Sequence, residues 1–297
     1  MEDVETMTNS PRMTLNDGTT IPQIGFGTLN VPPDRQPTPE NTAKTAQVVG
    51  LALELGYRHI DTAQGYGNER GVGEAIAASS IPREELYITS KLGNGNHRTD
   101  DVRRSFDETM EKLGLERLDL FLIHWPLPTL YDGDFVSTWK AMTQLVADGR
   151  LTSAGVSNFE PEHLSRIVDE TGVVPVVNQI EVHPYFTNEA ARTGSLDRGV
   201  KVEAWSPIAQ GKVLDDPVIG EIASARGKTP SQVTLRWHVE RGDIVFPKSM
   251  KRSRMEENFG IFDFSLSPEE VDQISALDQG EDGRTGPNPN TFDYIPD

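Results

Sequence analysis

The chain has no cysteine, which removes disulfides and thiolate metal sites from consideration. It has no apolar run approaching the roughly 18 residues that a membrane helix needs. Its first residues, MEDVETMTNSPR, show neither a basic start nor an apolar stretch, so no secretory signal is legible and a cytoplasmic location is expected. Positive charge is scarce: 28 Lys and Arg face 46 Asp and Glu, a formal net charge of −18. That field repels nucleic acid and anionic lipid over most of the surface, so neither is expected as a partner. The six histidines show no HExxH or other metal-ligand spacing, so no metal is expected, and there is no GxSxG elbow.

What is present is a globular composition, 36% hydrophobic over 297 residues, arranged in a strict alternation. Short β-like runs at 21–28, 59–61, 86–91, 118–125, 153–158, 176–181, 200–205 and 243–248 are interleaved with segments of helical spacing. The latter lie at 42–55, 68–78, 100–113, 135–147, 160–170, 188–198, 229–241 and 254–260. In DDVRRSFDETMEKLG, Val102, Phe106, Met110 and Leu113 form one helical face, with Asp100 a plausible N-cap and Gly114 a C-cap. Eight such units without a mid-chain linker predict a single α/β domain over 1–297, a (β/α)8 TIM barrel. A doubly wound sheet with a second domain is the alternative, and it would need a linker. Within that domain, 1–12 reads as a disordered extension, 13–280 as the barrel and 281–297 as a tail near the active-site mouth. A hairpin around Asp17-Gly18 is placed to close the barrel bottom. Extra helical structure is expected at 267–278, giving a barrel with an N-terminal β-hairpin and two extra helices.

The strand candidates end in unusual polar residues: Asp61, Lys91, His124, Ser157 with Asn158, Gln179 and Lys248. In a barrel these ends ring one mouth, where the fold keeps its catalytic groups. A lone Asp after a strand is more often a helix cap, a lone His more often a bonded structural group, and a lysine can simply reach solvent. Such residues on six different strands are hard to explain that way, and together they make chemical sense. A tyrosine hydroxyl, with a pKa near 10, is a poor general acid at neutral pH. Lys91 near Tyr66 would lower that pKa by stabilising the phenolate. Asp61 would supply the carboxylate that a partly dry lysine requires, and a neutral His124 would orient a carbonyl oxygen. The glycines of GYGNERGVG (65–73) are not spaced as a dinucleotide turn; Gly65 and Gly67 read as backbone freedom around Tyr66.

The stretches HIDTAQGYGNE (59–69), ITSKL (88–92), LDLFLIHWP (118–126), GVSNF (155–159), VNQIEVHPY (177–185) and FPKSMKRSRMEENF (246–259) resemble, in order and spacing, the aldo-keto reductases. In character the chain resembles the prokaryotic 2,5-diketo-gluconate reductase-like branch. The resemblance implies NADPH-dependent reduction of aldehydes and ketones, with a small-molecule carbonyl as partner and a monomer as the common state. It implies a tetrad of Asp61, Tyr66, Lys91 and His124, with Tyr66 the proton donor. Ser157, Asn158 and Gln179 would hold the nicotinamide carboxamide, and Gly27, Thr28 and Ser206 would also meet the cofactor. Trp205 stands where the family usually stacks a tyrosine on the nicotinamide, and its larger π face keeps that option. Lys248, Ser249 and Arg254, in the basic run KSMKRSR, would grip the 2'-phosphate, with Glu257 and Asn258 on the adenine.

The chain departs from the family pattern at Leu29 and Gly93, where aromatics are common, while Trp125 remains. A widened pocket lined by Leu29 and Trp125 is expected. With the short 206–217 loop and a compact tail, it implies an open mouth for small or polar carbonyls. The alternative function is a nucleotide-binding redox sensor or regulatory subunit with little turnover; the complete tetrad favours the enzyme.

Overall fold

The alternating pattern becomes ten strands and ten helices among residues 10–296, which the computed structural model describes. The strands are β1 (Arg12–Thr14), β2 (Thr20–Pro22), β3 (Phe26–Gly27), β4 (His59–Asp61), β5 (Tyr87–Leu92), β6 (Leu118–Ile123), β7 (Leu151–Ser157), β8 (Val177–Glu181), β9 (Lys201–Trp205) and β10 (Ile244–Val245). The helices are α1 (Pro39–Glu54), α2 (Glu69–Ala78), α3 (Thr99–Leu113), α4 (Phe135–Ala147), α5 (Pro161–Thr171), α6 (Glu189–Leu196), α7 (Pro217–Arg226), α8 (Pro230–Glu240), α9 (Arg252–Phe259) and α10 (Pro268–Ser275). Strands β3 to β10 lie side by side in chain order, all parallel. A bridge between Ile24 and Val245 joins the two edges, with Gly25 N–H donating to Val245 O at 2.9 Å. The result is the expected (β/α)8 barrel.

The two strands at that seam are shorter than the sequence predicts. Residues 20–22 pair instead with β1, and Pro247 has no N–H with which to extend β10. The β1–β2 hairpin covers the barrel bottom. Its turn is tied to strand starts by Asp17, which accepts from Ser153 Oγ at 2.6 Å, and by Asn16, which donates to Pro175 O at 2.9 Å. Leu15 and Ile21 pack there on Leu120, Leu122, Val177, Ile244 and Phe246. Strand β1 begins at Arg12, and Gln23 N–H donates to Pro11 O, so the end of the 1–12 stretch is bonded; residues 1–9 lie outside those described.

Thr38-Pro39, Thr229-Pro230 and Ser267-Pro268 each place a capping hydroxyl before a proline, starting α1, α8 and α10. This moves the start of α1 back from 42 to 39. Asp100 is not the N-cap of α3: the helix begins at Thr99, and Asp100 sits in its first turn, where a carboxylate suits the helix dipole. Gly114 does end that helix, at φ 65. Helix α7 was not predicted; Gly220 interrupts a short, small-residue segment, and only Asp216-Pro217 and Gly227 punctuate it. Among the described residues no helix is long and apolar enough to cross a membrane, and no group of three or more potential metal ligands converges.

Candidate active site

Strand β4 delivers Asp61 and strand β5 delivers Lys91 into the upper barrel, where both are buried. Lys91 Nζ donates to Asp61 Oδ1 at 2.6 Å and to Thr62 O at 2.9 Å, and it reaches the Tyr66 hydroxyl at 3.4 Å. An ammonium has three N–H groups, and these are the three partners. Tyr66 ends a tight turn at Gln64–Tyr66, closed by Gly67 at φ 71. Gln64 holds that turn from both ends of its amide: Nε2 donates to Ser105 O and Thr109 Oγ1, while Oε1 accepts from Gly93 N–H at 2.7 Å. His124 follows β6, its ring edge-on to Tyr66 with centroids 5.8 Å apart. The tetrad residues named from sequence therefore converge.

The electrostatics differ from expectation in one respect. Burial raises the Tyr66 pKa, and although Lys91 pulls it down, the net direction is up rather than down. Desolvation by burial exceeds the help of a single ammonium already committed to Asp61. Burial would lower Lys91, but Asp61, Tyr66 and Glu203 outweigh it and hold the ammonium above its usual value. His124 is driven far below its ordinary value by burial first and then by the charges of Lys91 and Arg35, so it is a neutral imidazole at physiological pH.

Beneath this set lies a residue that the sequence reading passed over. Gln179 Nε2 donates to Asp61 Oδ2 at 3.0 Å and to Glu203 Oε2 at 2.9 Å. Glu203 is fully buried on β9, between outward-packed Val202 and Ala204. A charged residue inside the apolar run VKVEAW was the available signal. Burial, then the Asp61 charge, lifts its pKa to about 8. The folded state thus retains a proton that the unfolded chain releases near 4.5, so stability falls as pH rises from about 4.5 through about 8. Glu203→Gln, which cannot ionise, is expected to gain on the parent protein across that window in thermal unfolding. Parallel profiles would contradict a neutral buried carboxyl.

The residues assigned to the cofactor form two groups. Around the tetrad, Ser157 Oγ donates to Gln179 O, and Asn158 Nδ2 donates to His124 O at 2.9 Å. Trp205 Nε1 donates to Asn158 Oδ1 at 2.9 Å. With the Gln179 N–H groups also engaged, what remains there for an incoming carboxamide is mainly oxygen acceptors. Thr28 donates both N–H and Oγ1 to Asp61 O, Gly27 pairs with Asp61 in the sheet, and Ser206 follows β9 at φ 50. The second group surrounds the start of α9. Lys248 and Arg254 are exposed and have no ion-pair partner among the described residues, and Ser249 Oγ accepts from Lys251 N–H. Glu257 accepts from Thr229 Oγ1 at 2.6 Å and Asn258 from Ser231 Oγ at 2.9 Å. Unpaired cations at a helix N-terminus suit a phosphate.

The tail lies across part of the mouth. Glu181, at the end of β8, accepts from Thr285 N–H and Oγ1 and from Gly286 N–H at 3.0 Å. Gly286 abuts Trp205, Phe292 packs on Trp125 with centroids 4.2 Å apart, and Asn94 Nδ2 donates to Tyr294 O. The tail therefore crosses from the ends of β8 and β9 to the loop after β5, leaving Leu29 among the exposed apolar residues. Sequence compactness could not show this, because these contacts join residues far apart along the chain, 104 positions for Glu181 and Thr285 and 200 for Asn94 and Tyr294.

Residues 23–279 match the family model described as Aldo/keto reductase family. The chain is 47% identical over 285 residues to an aldo-keto reductase of Mycolicibacterium smegmatis, spanning 96% of this chain and 99% of that protein. It is 42% identical over 288 residues to methylglyoxal reductase DkgA of Escherichia coli, spanning 96% and 99%. The solved apo structure of Gox0644 is similar at TM-score 0.89 and 43% identity, covering 96% of this chain and 100% of that one. A mutant of Gox0644 in complex with NADPH gives TM-score 0.88 at the same identity.

Proposed function

Since the chain belongs to the aldo/keto reductase family, and is thereby an NADP(H)-dependent oxidoreductase, we propose that it reduces a small aldehyde or ketone to the alcohol with Tyr66 as the general acid. The observation that carries this reading is Lys91, buried, with its three N–H groups on Asp61, Thr62 O and the Tyr66 hydroxyl. NADPH, when bound, supplies the hydride. Tyr66 gives its proton to the carbonyl oxygen as that oxygen gains charge, and the resulting phenolate is stabilised by Lys91. Asp61 keeps Lys91 charged in a site that would otherwise strip its proton. Neutral His124, at the edge of the Tyr66 ring, orients the carbonyl without competing as a stronger acid. Trp125, Phe292 and the crossing tail limit water around the reacting oxygen.

The cofactor would lie from Ser157, Asn158, Gln179 and Trp205 at its nicotinamide end to Lys248, Ser249 and Arg254 at its 2'-phosphate, with Glu257 and Asn258 on the adenine. Arg254→Ala is expected to weaken NADPH binding about tenfold or more, the scale of a lost charge-assisted bond, and NADH binding much less. Fluorescence titration of both cofactors tests this, and equal losses would remove Arg254 from phosphate recognition. A carbonyl panel followed by NADPH absorbance, with methylglyoxal and diketo sugar acids included, tests the reaction. Nucleotide retained through purification without turnover would favour a sensor role.

A further inference from the structure

The loop between β3 and α1 carries a cation for which neither the tetrad nor the cofactor cluster has a use. Its attachment is specific. Asn68, two residues beyond Tyr66 and buried, donates from Nδ2 to Thr28 O and Val31 O, both at 2.9 Å, while its Oδ1 accepts from Thr62 Oγ1 at 2.7 Å. Thr45 Oγ1 of α1 adds a second bond to Val31 O. The loop is thus fastened to the segment that holds the tyrosine. At its far end the Arg35 carbonyl lies so close to Gly67 that any Cβ at that glycine would overlap it. Arg35 therefore sits beside the residue that immediately follows Tyr66.

Its side chain is aimed as well as anchored. Arg35 Nε donates to Asn30 Oδ1 at 2.7 Å, and both residues occupy the left-handed region, at φ 53 and φ 60. Non-glycine residues held there are uncommon and cluster at ligand sites. The neighbouring carboxylate, Asp34, accepts from Asn41 Nδ2 and forms no ion pair with Arg35. Among the described residues the terminal nitrogens of the guanidinium have no protein acceptor. In a chain of net charge −18, an arginine without an ion-pair partner beside the Tyr66 turn offers a local positive charge to an anionic ligand. The Arg35 charge adds to the fall that burial and Lys91 impose on His124, and it opposes the larger rise that burial imposes on Tyr66.

We infer that Arg35 is the subsite for an anionic substituent of the carbonyl substrate, a carboxylate on an aldehyde or keto acid. This rests on the reductase reading above. The free end of the planar guanidinium, its two terminal nitrogens, matches a carboxylate, and a fixed Nε lowers the entropy lost on binding. In the cofactor reading above, the 2'-phosphate takes Lys248 and Arg254, which follow β10 across the seam from β3, so Arg35 is not needed for it.

The test compares succinic semialdehyde with its methyl ester, which differ in charge but share the aldehyde. In Arg35→Gln the ratio of kcat/KM for the acid to that for the ester should fall about tenfold to a hundredfold, and Arg35→Lys should recover part of it. An unchanged ratio overturns the proposal. A loss of NADPH affinity in place of the ratio also overturns it, by giving the guanidinium to the cofactor. A calorimetric titration of succinate into the protein with NADP+ needs no turnover. Succinate binding that depends on Arg35 in a protein reducing no carbonyl would keep the anion subsite and refute the reductase reading. Turnover of both aldehydes without any Arg35 dependence would do the reverse.

Discussion

Replacing Tyr66 by Phe is expected to lower carbonyl reduction about a hundredfold to ten-thousandfold, the usual contribution of a placed general acid. The substitution is sparing. Phe keeps the ring beneath which Lys91 lies at 5.0 Å and the edge contact with His124, and removes only the hydroxyl at 3.4 Å from Lys91 Nζ. NADPH affinity should therefore change little while kcat collapses, which separates a missing proton from a damaged site. The pH profile gives a second reading. Burial holds Tyr66 above the usual tyrosine value, against the pull of Lys91, so the hydroxyl is fully protonated across neutral pH. Reduction by the parent enzyme should be insensitive to this group near neutrality and fall on the alkaline side as pH rises through the raised pKa. The residual rate of the Phe variant should lack that fall. Retention of most activity by Tyr66→Phe would reassign the acid.

Asp61→Asn should cost both stability and activity, the former by about 3–5 kcal/mol, because it leaves a fully buried ammonium without its counter-charge. With the carboxylate gone, burial acts on Lys91 against only Tyr66 and Glu203, and its pKa falls. The folded variant then binds fewer protons than the unfolded chain, so its stability should recover as pH rises and the lysine discharges. Chemical unfolding at several pH values measures this. Adding Lys91→Met removes the stranded charge, and the double variant should regain much of the stability without regaining reduction. A single Asp61→Asn variant as stable as the parent would mean that Asp61 does not neutralise Lys91 in the folded protein.

Much of the architecture could be read along the chain because its causes are local. Helix α4 follows from its apolar period and occupies the stretch predicted for it, Phe135–Ala147. Helix α3 is off by one residue because several polar residues in TDD can start a helix and only packing selects among them. Helix α7 escaped notice because its small residues and Gly220 give little periodic contrast. The tetrad residues were legible because Asp61, Lys91 and His124 each break an apolar strand pattern near its end. Glu203 breaks it within the strand, and a single strand cannot show that Gln179 bridges it to Asp61.

Residue order and period alone were enough to specify a parallel barrel with a polar ring at one mouth, since side-chain parity and strand–helix alternation are properties of neighbouring residues. Three features waited on the folded chain. One is the net rise of the Tyr66 pKa, which depends on how completely the barrel dries the phenol before Lys91 can compensate. Another is the tail, fixed across the mouth by Glu181, Trp125 and Asn94 through contacts distant in sequence. The last is Arg35, one more charge in a polar loop until Asn68 and Gly67 bring that loop against the tyrosine. Each is a matter of distance and dielectric, and neither quantity is written in the order of the residues.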